Sequence, residues 1–182
     1  MRKTDARLRY TQNALKQSLL SFLKEKPVNK ITVKEVCERA GLNRATFYAH
    51  YSDCFALLES IEEDLLETFC SSLKLVDSFD VTALIEAIYA MIEQQQEACR
   101  VLIFQNACPN VLRRMIDMAR SESISYWKKH LRRATEAELE MLYTHLSNGL
   151  MHVVVEGYEK YSREEVVHFV NRIVQCSLSQ FQ

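Results

Sequence analysis

An all-α fold is predicted for this chain by three observations. Its 182 residues include only three Gly and two Pro, too few turn formers for a strand-rich sandwich or barrel. Apolar residues recur at three-, four- and seven-residue spacings along most of its length, the stripe of amphipathic helices. Capping-box pairs stand at Thr32/Glu35, Thr135/Glu138 and Ser162/Glu165, where hydroxyl and carboxylate each serve an orphan amide at a helix start. A composition of 48% hydrophobic and 26% charged residues is that of a globular chain and excludes a disordered or fibrous one.

The first helix is expected to be capped near Thr4 or Asp5, to carry Leu8, Leu15, Leu19, Phe22 and Leu23 on one face, and to end before Pro27. Thr32 opens a short helix through Val36, Cys37 and Ala40 that Gly41 closes, because glycine tolerates the left-handed turn conformation. Asn43 caps a second short helix running to His50. Ser52 is read as the cap of a long helix bearing Phe55, Leu58, Ile61, Leu65 and Phe69, with acids in its early turns to suit the helix dipole. Val81 to Glu97 forms the next helix, followed by the apolar run Val101-Leu102-Ile103-Phe104 and a break at Pro109. Helices from Val111 to Arg133, from Thr135 to about Tyr158, and after Ser162 complete the chain.

Several function classes fall away. No run approaches the roughly 18 apolar residues of a membrane span, and the charged start Met1-Arg2-Lys3-Thr4-Asp5 is not a signal peptide's apolar core. Cys37, Cys54, Cys70, Cys99, Cys108 and Cys176 form no CxxC pair and read as reduced, individually buried thiols. A cytoplasmic location is therefore expected. There is no Gly-x-Ser-x-Gly elbow, no phosphate-cradling glycine loop and no HExxH, so an enzyme is not expected, nor any cofactor.

Charge is unevenly spread. Residues 1–50 carry 11 Lys/Arg against 4 acids, whereas the rest of the chain is acidic and the whole sums to −1. A basic head on an acidic body suits contact with a polyanion, although charge alone leaves open a set of merely solvated helix faces. The more specific segment is Ile31 to Tyr51. Two short helices joined by Ala40-Gly41-Leu42 have the outline of a helix-turn-helix, with a small residue at the close crossing, a glycine in the turn and an apolar anchor. Its second helix carries Asn43, Arg44, Thr46, Tyr48 and His50, all able to hydrogen-bond phosphates or base edges.

The run Ile31-Thr-Val-Lys-Glu-Val-Cys-Glu-Arg-Ala-Gly-Leu-Asn-Arg-Ala-Thr-Phe-Tyr-Ala-His-Tyr51 resembles the DNA-binding signature of TetR/AcrR-type transcriptional regulators. The likeness covers about residues 8–68. The spacing of Gly149-Leu-Met, Gly157-Tyr and the Ser-Arg-Glu-Glu cap is in turn similar to regulatory domains of Firmicutes-type members. The resemblance implies a DNA-binding head over 1–51, a linking helix over 52–75, and a helical regulatory and dimerisation domain over 76–182. It implies that Thr32 and the amide of Val33 meet phosphate at a helix N-terminus. It places Asn43, Arg44, Ala45 and Thr46 in the major groove, Arg44 facing guanine, and sets Tyr48 and His50 on the phosphate backbone while Phe47 and Tyr51 pack inward. The family's lysine at the start of the fourth helix is missing: Ser52-Asp53-Cys54 stand there. A lysine at Cys54 is expected to restore a phosphate contact.

The resemblance further implies a ligand-responsive repressor of a pseudo-palindromic operator, with an adaptor acting through protein contacts as the alternative. The wide apolar faces of the last two helices predict a homodimer. Cys99, Phe104, Met118, Tyr126 and Trp127 are candidates for an effector cavity and equally for ordinary core. His145, Asn148, His152 and Glu156 line one helix side but read as a solvated or dimer-facing strip, and no metal ion is expected.

Overall fold

The computed structural model describes residues 3–73, 79–105 and 110–182, the side chains of 3–6, 72 and 73 excepted. The described residues form α1 (Lys3–Leu23), α2 (Val33–Ala40), α3 (Arg44–Tyr48), α4 (Cys54–Leu73), α5 (Thr82–Gln94), α6 (Gln96–Cys99), α7 (Asn110–His130), α8 (Glu136–Gly157) and α9 (Arg163–Leu178). No strand occurs among them. Two compact units result, Met1–Leu65 with Glu97–Cys108, and Leu66–Gln96 with Pro109–Gln182. The division thus falls inside α4, and residues 97–108 group with the N-terminal helices.

In the first unit, α1 buries Leu15, Leu19, Leu20 and Leu23, while Leu8, expected on the same stripe, is exposed. The helix already runs from Lys3, so Thr4 and Asp5 lie inside it and not at the expected start. Thr11 and Ser18 are buried too. Their hydroxyls donate to the carbonyls of Arg7 and Ala14 at 3.0 and 2.7 Å, which removes the cost of burying them. α2 packs on α1 and α3, and Val36, Cys37, Phe47, Tyr51, Leu57, Leu58, Ile61 and Leu65 complete the core. Full burial of a leucine or phenylalanine side chain is worth about 1.5–3 kcal/mol, so a few such residues hold these short helices in place.

The expected helix from Val81 to Glu97 is interrupted. Gln95 leaves helical conformation at φ −119° and ψ 42°, and its side-chain amide donates to Thr68 Oγ1 at 2.7 Å. After α6 the chain forms a π-helical turn over Arg100–Phe104, closed by the Gln105 amide on the Arg100 carbonyl at 3.0 Å. Val101, Leu102 and Ile103 are buried there, and an ion pair joins Glu97 to Lys24. The break expected at Pro109 lies outside the described residues.

In the second unit α7 packs on α8, α8 on α9 and α9 on α5. Val166, Val170, Val174 and Leu178 form the buried row of α9. α8 ends on buried Gly157, where a Cβ would stand 3.2 Å from Val166 Cγ2 and 3.4 Å from a Tyr161 ring carbon. The capping boxes at Thr135 and Ser162 are both formed. α7 stops at His130 and not at Arg133, the Leu131 amide closing on the Trp127 carbonyl at 2.7 Å. The thiols of Cys37, Cys54 and Cys99 are buried, but Cys70 is half-buried and Cys176 exposed, so the expectation of uniformly buried thiols fails. Cys108 lies outside the described residues. No helix among those described is long and apolar enough to cross a membrane.

Candidate nucleic-acid interface

The geometry of the head begins with two caps. At α2 the Thr32 hydroxyl accepts from the Glu35 amide at 3.3 Å, and the Glu35 carboxylate accepts from the Thr32 amide at 2.9 Å and its hydroxyl at 2.8 Å. Lys26 adds an ion pair to Glu35 at 2.6 Å. The Lys26 hydrogen bond, then the two from Thr32, hold the Glu35 carboxyl down at about 2. Thr32 is exposed and Val33 half-buried, so the N-terminus of α2 opens to solvent with its carboxylate balanced by a lysine. Gly41 follows in the left-handed region at φ 66°, a conformation that side chains other than glycine adopt at a cost. It turns the chain sharply into α3.

At α3 the Asn43 side-chain carbonyl accepts from the Thr46 amide at 2.7 Å and from the Thr46 hydroxyl at 2.9 Å. Asn43 and Thr46 therefore fix each other, Asn43 exposed and Thr46 half-buried. Arg44 and Ala45 are exposed, and Arg44 enters no ion pair among the described residues. Phe47 is fully buried and Tyr48 is 58% exposed, their rings meeting edge to face at 5.7 Å. α3 ends at Tyr48, and half-buried His50 lies just beyond it in a turn. The short helix thus anchors by one aromatic and leaves Asn43, Arg44, Ala45 and Tyr48 exposed, with Thr46 half-buried. Arg7, Arg9 and Lys30 are also exposed, and such cations suit a phosphate backbone.

Two expectations at the start of α4 are corrected. The cap is Asp53 and not Ser52: the Asp53 carboxylate accepts from the Ala56 amide at 2.9 Å. Both residue types cap helices well, so the sequence did not distinguish them. Cys54 does not face outward; it is only 4% exposed, and burial pushes its thiol up to about 11. A lysine there would enter the core, and the expected phosphate contact is withdrawn. Phe55, expected on the apolar stripe, is instead 55% exposed.

The second unit contains an apolar cavity of about 80 Å³. Of the five effector candidates Trp127 lines it. Cys99 and Phe104 belong to the first unit, Met118 is exposed, and Tyr126 stacks on His130 at 4.2 Å. The residues that sequence reasoning missed, Met115, Ser123 and Tyr143 among them, come from α7 and α8 at helical spacings that ordinary core shares. Elsewhere on α8 the Nδ1 atom of His152 lies 3.1 Å from the Asn148 carbonyl. Glu156 pairs with Lys160 at 2.8 Å.

No family model matches the chain. A protein of Bacillus subtilis (strain 168), described as the uncharacterized HTH-type transcriptional regulator YxbF, is 38% identical over 53 residues. That match spans 29% of this chain and only 14% of the relative. Among solved structures, a TetR/AcrR-family transcriptional regulator from Aquifex aeolicus VF5 superposes with a TM-score of 0.62 at 18% identity, covering 94% of this chain and 99% of that one. The SmeT–triclosan complex gives 0.59 at 15% identity, covering 92% and 90%. The fold is that of TetR-type regulators.

Proposed function

We propose that this chain is a transcriptional regulator whose helix-turn-helix head binds double-stranded DNA as part of a homodimer. The observation that carries the reading is the exposed edge of α3, where Arg44 stands without an ion pair among the described residues beside the mutually locked Asn43 and Thr46. A guanidinium so placed suits bidentate contact with guanine, and Tyr48, His50 and the Thr32–Val33 end of α2 suit phosphate. The partial likeness to a helix-turn-helix regulator agrees.

Dimerisation is assigned to α8 and α9. Phe169 and Ile173 are 45% and 42% exposed, and a groove beside them is lined by His145, Gly149, Leu150 and Val153. A second copy would cover this apolar strip. Two heads would then occupy successive major grooves of a pseudo-palindromic operator. In this reading the protein works in the cytoplasm as a repressor, not as an enzyme. A small apolar effector in the second unit lowers DNA affinity, and DNA lowers effector affinity by the same factor.

A second reading, an adaptor docking another protein, draws on the start of α4, where exposed Phe55 lines a shallow surface groove with Asp53 and Glu59. Gel-shift of the purified protein against DNA flanking its own gene, repeated over a salt series, separates the two. Regulator binding falls steeply with salt as counterions are released. Absence of DNA binding at low salt leaves the adaptor.

A further inference from the structure

We propose that the cavity of the second unit is a binding site for a small, uncharged, mainly apolar molecule carrying one hydrogen-bonding group, which Ser123 meets. The inference rests on the effector reading above and gives that effector a chemistry. Ser123, Ala119, Met115 and Trp127 lie on one face of α7 and all line the cavity, opposite Tyr143 and Leu146 of α8. No charged side chain is among the lining residues. An ion entering there would be stripped of water without a partner, which is strongly unfavourable.

Three hydroxyl groups belong to the wall, and two are already engaged. The Tyr143 hydroxyl donates to the Ile116 carbonyl at 2.5 Å, and Ser147 Oγ donates to the Tyr143 carbonyl at 2.6 Å. Ser123 is 7% exposed and its hydroxyl bonds to no group among the described residues. A buried hydroxyl is normally paired; this one is an acceptor and donor waiting in an apolar wall. The size of the site narrows the ligand further. At about 80 Å³ the space is roughly half that of the ~150 Å³ engineered cavity that takes up benzene. A short branched chain is the upper limit without movement. Met115 and Met151 line the wall, and methionine yields space readily, so a one-ring ligand is admitted by their rotation.

Trp127 is the single tryptophan of the chain and lines the cavity, so its fluorescence reports occupancy directly. Full-length protein is titrated with phenol, benzene and benzoate, and the same series is run on Ser123→Ala. The expected result is that phenol binds more tightly than benzene by roughly three- to tenfold, the worth of one net hydrogen bond. Ser123→Ala erases that difference and leaves benzene binding unchanged, while benzoate leaves the emission unaltered. Phenol and benzene binding equally to the parent overturns the role of Ser123. Failure of both to change the emission overturns the cavity as a site, as does equal binding of benzoate. Operator affinity with and without saturating phenol is measured separately. If phenol binds as described but operator affinity does not change, the site stands and the effector reading falls.

Discussion

Single residues of the head divide by what their side chains are already doing. Arg44 is exposed and without an ion pair among the described residues. Its replacement by alanine is therefore expected to leave the fold intact, to weaken specific DNA binding by roughly 1–3 kcal/mol, and to relax preference at one operator position. Binding-site selection on parent and variant checks it, and an unchanged preference removes Arg44 from base readout. Cys54 behaves oppositely. It is buried, so Cys54→Lys should cost on the order of 3 kcal/mol of stability, as an uncompensated buried charge does, without tightening DNA binding. Urea unfolding and gel-shift together read both effects. Glu35 supplies a pH signature. Its folded-state value of about 2 lies below the ordinary 4.5, so its contribution is complete above about pH 4.5. That contribution is lost as the pH falls toward 2. Glu35→Gln should therefore lose less stability than the parent over that window, the two acid-unfolding curves converging; parallel curves contradict the assignment. At this scale the inward Phe47 and outward Tyr48 were legible from the motif. The orientation of Cys54 was not, because motif position does not specify which way the first turn of α4 faces the core.

At the scale of elements, caps carried most of the legible information. Thr32, Asn43, Thr135 and Ser162 each accept from the amide three residues on, as local hydrogen-bonding chemistry predicts from sequence. Non-local bonds were invisible. The end of α5 at Gln94 goes with the bond from Gln95 to Thr68, 27 residues away, and no periodicity announces such a partner. Two consequences follow for the helices themselves. Asn43→Ala removes the cap of α3 together with the acceptor of the Thr46 hydroxyl, and should cost about 1 kcal/mol of stability. It should also weaken DNA binding, since α3 has only five residues and little else to hold its first turn. Thermal unfolding and gel-shift test this, and a variant with parental values for both shows that the cap is dispensable. Phe169→Glu places a charge on the exposed strip of α9, where a dimer interface would bury it without a partner. Light scattering should report a dimer for the parent at micromolar concentration and a monomer for the variant. A monomeric parent refutes the assignment of α8 and α9 to dimerisation.

For the whole molecule, the all-helical fold was readable because glycine and proline are scarce and the apolar stripes are regular. Division into units was less so. Residues 97–105 group with the N-terminal helices and bury Val101, Leu102 and Ile103, and no boundary signal in the chain announces that grouping. The effector candidates fared similarly, since cavity wall and ordinary core share composition and spacing, and of the five only Trp127 lies on the wall. The surplus of basic residues in the first 50 positions is the feature that ties sequence, fold and proposed function together, and it makes a demanding claim about ionic strength. The most direct measurement is the affinity of the purified protein for DNA flanking its own gene as a function of salt, beside unrelated DNA of equal length. Preferred binding to the flanking DNA that falls by at least about a hundredfold between roughly 50 and 200 mM salt is the predicted result. No preference for that DNA, or an affinity that does not change with salt, contradicts the account.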